Sequence, residues 1–242
     1  MSFYLAIDTA TDYGSVAVGE PGRTIAELSV TGRRHATALM PAIELVLRIA
    51  GLAYSELEGI AVANGPGSFT GLRIGFATAK GIAVEHERLS LITAPSLLVL
   101  AWGFRAVHQG PIAALYDALR EEVYAAVYRF EDEKVLVDVP PMLATVTQLT
   151  ELCGVRPSFA VGDGAVAQRD LVQSWTGREP VGPPVGVPRA GSLLEMMTAS
   201  GATAVVRDPQ SFEPEYGRLA EAQVRWETAH GRKLGPASGT QI

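Results

Sequence analysis

With 242 residues, 48% of them apolar and 19% charged, the chain has the make-up of an ordinary folded protein, neither disordered nor fibrous, and is long enough for one large domain or two lobes. The net charge of −6, with no basic cluster larger than Arg33-Arg34-His35, runs against a protein that holds nucleic acid unaided. A single cysteine, Cys153, excludes an internal disulfide, and no apolar run reaches the ~18 residues of a membrane span. The opening residues lack a basic stretch followed by a long apolar one, so no signal peptide is expected and the cytoplasm is the expected location.

Taken in order, Phe3 to Ile7 reads as a central strand that ends in Asp8. A turn-rich stretch leads to strands at Ser15–Gly19 and Thr24–Val30, completing a meander. His35 to Ala50 reads as a helix, with Pro41 in its first turns and Gly51 as its stop. Ile60–Asn64 and Leu89–Thr93 read as strands flanking a glycine-rich turn and its helix, and Pro95–Phe104 as a further helix.

The glycine-rich stretch, Gly65-Pro66-Gly67-Ser68-Phe69-Thr70-Gly71-Leu72-Arg73-Ile74-Gly75, organises this half. Glycines around a proline make a tight turn, and Ser68 or Thr70 can cap the helix that follows. Free N–H groups at a helix start also suit an anion, so a plain connection and an anion site both remain open. From Leu72 to Glu85 only Arg73, Lys80 and Glu85 are charged, and apolar side chains point in every direction. Gly71, Gly75 and Ala79 form a smooth track that lets another backbone approach closely. The expectation is that one face of this helix enters the core and another meets a partner subunit.

The pattern then restarts. Pro111–Asp117 is again an apolar strand ending in aspartate, followed by a short turn and strands at Val123–Tyr128 and Lys134–Val137. Leu143–Leu152 reads as a helix, Phe159–Gly162 as a strand, and Val166–Trp175 and Gly191–Ala199 as helices. Two halves that each open strand, aspartate, turn, strand suggest an internal duplication. The expected fold is α/β, with duplicated mixed-sheet lobes at 1–108 and 109–225. The last helix packs back on the first lobe, and 226–242 form a polar, disordered tail.

Such halves resemble the two-lobed actin-like ATPase and sugar-kinase superfamily, with its ribonuclease H-like lobes, where two aspartate-tipped hairpins face a nucleotide cleft. That resemblance implies a remnant nucleotide cleft at Asp8, Thr9, Asp117, Gly162 and Gly164. The superfamily usually has a glycine two residues after the first aspartate, and Ala10 stands there. His35, His86, His108 and His230 show no i,i+3 or i,i+4 pair, so no metal site is written locally.

A narrower resemblance rests on Ala6-Ile7-Asp8-Thr9-Ala10-Thr11, Arg34-His35, Leu39-Met40-Pro41-Ala42-Ile43, the glycine turn, Asp117 with Glu122-Val123-Tyr124, Val161-Gly162-Asp163-Gly164, and Pro214-Glu215-Tyr216-Gly217-Arg218. These resemble the TsaB (YeaZ) family over residues 2 to about 227. Ala36, Leu119 and Gly217 depart from its pattern. The resemblance implies a non-catalytic subunit for N6-threonylcarbamoyladenosine modification of tRNA beside the anticodon. It would pair with the catalytic paralogue TsaD, work with the ATPase TsaE, dimerise when alone and meet tRNA only through the complex. Thr93-Ala94-Pro95-Ser96-Leu97-Leu98, where that paralogue carries paired metal-binding histidines, offers no imidazole, thiolate or carboxylate. The expected partner face comprises His35, Leu39, Ile43, Gly71, Arg73, Gly75 and Ala79. No catalytic residue, metal or tightly held cofactor is expected. Weak ATP or ADP binding, in the cleft or at the complex interface, stays open. The alternative is a metal-dependent glycoprotease-like peptidase or an actin-like phosphotransferase.

Overall fold

A computed structural model describes residues 2–32, 35–86, 88–131, 134–209 and 211–217. The predicted tail, Arg33, Arg34 and Arg218 lie outside the described residues. The first sheet comprises β1 (Phe3–Asp8), β2 (Tyr13–Glu20), β3 (Arg23–Thr31), β4 (Leu57–Ala63), β5 (Ser90–Ala94) and β10 (Ala204–Val205), in the order β10-β5-β4-β1-β2-β3. β1, β2 and β3 form an antiparallel meander, while β4 and β5 extend it in parallel from β1. The second sheet repeats this plan with β6 (Ile112–Asp117), β7 (Glu122–Glu131), β8 (Lys134–Thr145) and β9 (Phe159–Val161), ordered β8-β7-β6-β9.

The alternation of strand side chains explains the layering. Leu5, Ile7, Val16, Val18, Ile60 and Val62 point one way, into a core with α1 (His35–Ala50) and α2 (Phe69–Glu85). Ala6, Ala17, Ala61 and Ala63 point the other way, where small side chains admit α3 (Ser96–Trp102) and α7 (Ala190–Met196) against the sheet. Ile112, Ala114, Tyr116 and Tyr128 of the second sheet complete this shared core. Every residue of α3 is buried, as a helix wedged between two sheets must be. The far face of the second sheet packs beneath α4 (Val146–Leu152), α5 (Asp163–Ala167) and α6 (Arg169–Thr176).

Two sequence expectations change. Residues 143–145 extend β8, because Val123↔Ala144 and Tyr124↔Leu143 pairing continues to Thr145, which then caps α4. The helix expected at Val166–Trp175 is two helices with a break at Gln168 (φ −112°, ψ 36°). The last described helix, α7, packs back on β1, β2 and β3 of the first lobe, and β10 joins the edge of β5. Ala190 N–H donates to Ser15 Oγ at 2.8 Å, and Gly191 N–H to Glu27 Oε1 at 3.1 Å, so the first lobe caps this returning helix.

Candidate functional site

β1 and β4 end side by side, which brings the Asp8 turn and the glycine turn together. Ser68 caps α2 through Gly71 N–H, and its own N–H donates to Ala10 O at 2.7 Å. Thr9 Oγ1 donates to Gly71 O at 2.8 Å. A Cβ on Gly67 would overlap Ala10, and one on Gly71 or Gly75 would overlap Thr9. The smooth track therefore exists so that α2 can lie directly on the end of β1.

This corrects the expected partner face. Gly71, Gly75 and Ala79 are buried against their own chain, as are Leu39, Ile43 and His35. His35 sits behind the Asp8 turn, with Nε2 2.8 Å from Thr11 O. Of the seven residues expected there, Arg73 alone is exposed. On the solvent side of the two helices Ala36, Met40, Pro41, Ala77, Gly81 and Val84 are exposed beside Glu44, Arg48, Arg73 and Glu85.

The two aspartates have opposite fates. Asp117 is exposed, and its Oδ1 accepts from Leu119 N–H at 2.9 Å across a turn in which Leu119, Arg120 and Glu121 all have positive φ (63°, 55° and 65°). Asp8 has no exposure; Oδ1 accepts from Ala10 N–H at 2.9 Å and Oδ2 has no partner. Burial pushes the Asp8 carboxyl up to about 7, against the pull of the Ala10 hydrogen bond. Tyr116 faces it, its phenol held well above the usual range by burial and by the charges of Asp8 and Asp163, and donates to Ser96 O at 3.0 Å. Ser96 in turn accepts from Gly65 N–H and donates its own N–H to Gly65 O, both at 2.8 Å. Tyr116 thus ties the second sheet to the glycine turn through α3.

The second-lobe loop is also a packing element. A Cβ on Gly162 would overlap Leu115 O, and one on Gly164 would meet Tyr116 and Asp117 backbone atoms. Both glycines let α5 lie on the end of β6. Asp163, read from sequence only as part of this loop, is the polar centre: Oδ1 accepts from Gly164 N–H at 2.8 Å and Asp117 N–H at 3.1 Å. Burial raises its pKa, partly countered by those bonds. The turn of aspartate between glycines was its only sequence signal.

A cavity of about 10 Å³ beside Thr9 and His35 is the size of a water, not a nucleotide. An open groove of about 590 Å³ lies away from the aspartates, lined by Thr147, Cys153, Arg156 and Trp175 among others. Among the described residues no group of three or more His, Cys, Asp or Glu is placed to hold a metal ion. No described helix is long and apolar enough to cross a membrane.

Duplicated mixed sheets, each opened by an aspartate-ended strand and its hairpin, make this a protein of the two-lobed actin-like ATPase fold. A family model described as TsaD, tRNA N6-adenosine threonylcarbamoyltransferase, matches residues 29–223. The tRNA threonylcarbamoyladenosine biosynthesis protein TsaB of Bacillus subtilis is 30% identical, over 92% of this chain and 96% of its own. TsaB of Haemophilus influenzae is 28% identical over 95% and 98%. A Pseudomonas aeruginosa crystal structure, described as similar to the peptidase YeaZ, matches at a TM-score of 0.74 and 27% identity, covering 90% of this chain and 100% of that one. The chain belongs to the TsaB (YeaZ) family.

Proposed function

We propose that this chain acts in tRNA threonylcarbamoyladenosine biosynthesis as a non-catalytic cytoplasmic subunit that docks on, and activates, a TsaD-type paralogue. Family membership supports the pathway. The observation that carries the subunit role is the outer side of α1 and α2. These contacting helices leave Met40 41% and Val84 72% exposed, with Ala77 and Gly81 open between charged positions. Apolar surface left wet on two adjacent helices marks an interface. Alone, the chain covers this face with a second copy in a two-fold dimer, and the paralogue displaces that copy. The TsaE ATPase joins the same assembly. tRNA is held through the complex, because a net charge of −6 leaves little counterion-release drive. Any ATP or ADP bound is bound weakly or at the subunit interface.

Co-expression with the TsaD-type paralogue tests this. Wild type should co-elute with it, while Ala77→Arg should elute as a folded monomer without it, since an unpaired cation in a buried contact costs several kcal/mol. A variant that folds and still binds the paralogue would place the interface elsewhere. Steady turnover of tRNA, ATP or peptide by the isolated chain would refute the non-catalytic role.

A further inference from the structure

Residues 212–217 cross the glycine turn as a strap held at both edges. On the α2 side, Phe212 stacks on Phe76 with ring centroids 5.4 Å apart, and Lys80 Nζ donates to Phe212 O at 2.6 Å. Tyr216 leans on Phe69, centroids 4.5 Å apart. In the middle, Pro214 is buried and Glu215 N–H donates to Asn64 O at 2.7 Å. At the second lobe, Gly217 (φ +69°) runs so close to Tyr124 and Pro66 that a Cβ would meet them at 2.5 and 3.1 Å. Under the strap, Asn64 Oδ1 and Tyr128 OH are buried without partners, and the Tyr128 phenol is raised by burial and by the charge of Glu215.

Arg73 joins this strap to the outer side of α2. It is exposed there, yet its guanidinium lies 4.0 Å over the Phe69 ring and 5.6 Å from the Tyr216 ring. Its Nε donates to Tyr216 OH over a long 3.4 Å, and Tyr216 OH donates to Glu213 Oε2 at 3.1 Å. The bond to Tyr216 is single and long, whereas a carboxylate adds opposite charge and takes a guanidinium through two parallel N–H bonds. An acidic group arriving on the outer side of α2 therefore outcompetes Tyr216 for Arg73.

We propose that residues 212–217 are a latch over the glycine turn governed by Arg73, so that a partner carboxylate docking on α2 draws Arg73 away and loosens the strap. The regulation rests on the docking role proposed above for that face. Loosening uncovers Gly65, Pro66 and the unpartnered Asn64 and Tyr128 atoms, and frees Tyr124 of the second sheet, so partner occupancy is felt between the lobes.

Hydrogen exchange followed by NMR tests it at the Glu215 amide. Arg73→Met should speed exchange there about five- to tenfold, the loss of one cation–π and hydrogen-bond contact, with β1 and β4 amides unchanged. No change at Glu215, or equal acceleration throughout the chain, overturns the latch. Adding the TsaD-type paralogue to wild type should also speed Glu215 exchange, and should add nothing in Arg73→Met. Bound paralogue with unchanged or slowed Glu215 exchange overturns the coupling and leaves docking intact. A paralogue that does not bind wild type overturns docking and with it the coupling, while the Arg73→Met comparison still decides whether Arg73 holds the strap.

Discussion

Two glycines in α2, six positions apart, should respond to alanine with opposite signs. Gly75 lies where a Cβ would overlap Thr9 Oγ1, whose hydroxyl is already committed to Gly71 O. Forcing α2 off β1 costs about 1–3 kcal/mol of overpacking, and losing the Thr9 hydrogen bond about 1 more. The gain in helix propensity returns about 1 kcal/mol. Gly75→Ala should therefore destabilise the chain by about 1–3 kcal/mol net. Gly81 is exposed and a Cβ there would meet nothing within 4 Å. Gly81→Ala keeps the propensity gain alone, about 0.8–1 kcal/mol, or about 2–4 °C in Tm for a chain of this size. Urea midpoints and melting temperatures of both variants read this directly. If Gly75→Ala stabilises as Gly81→Ala does, the Gly71/Gly75/Ala79 track faces outward and the packing of α2 on Thr9 is wrong.

Three other measurements probe the site. The Asp8 carboxyl is raised from 3.8 to about 7 in the folded chain, so its protonated form favours folding: that stability is full below pH 3.8 and is lost as pH rises to about 7. Wild type should lose Tm between pH 5 and pH 7 and Asp8→Asn should flatten that fall; an unchanged slope would show that Asp8 is ionised and partnered. Tyr128→Phe removes a buried hydroxyl with no partner and should leave urea stability equal or higher by up to about 1 kcal/mol, whereas a clear loss would reveal a hydrogen bond there. Asp163→Ala leaves Asp117 and Gly164 N–H groups without their acceptor and should cost about 1–3 kcal/mol, with α5 cut faster by protease; wild-type resistance would count against Asp163 as the tie between β6 and α5.

The sequence by itself determined the parts whose cause is local. Apolar strands ending in Asp8 and Asp117, the helix from His35 to Ala50, and the capped glycine turn are all written in periodicity and turn chemistry, and their repetition announced two alike lobes. Close approach at Gly71, Gly75 and Ala79 was legible too, because missing side chains mean a near neighbour. Which neighbour was not. A helix apolar on all sides has no preferred inside, and only the position of β1 turned the glycine track onto Thr9 and left Ala77 and Gly81 in solvent. Asp8 and Asp117 end their strands in the same local pattern, yet one is fully buried and the other faces water. Burial belongs to what the rest of the fold lays on top. For the same reason β10 and the strap at 212–217 join the first lobe although they follow the second in sequence: their partners are Thr93 and Phe76, contacts more than a hundred residues away that no local pattern encodes.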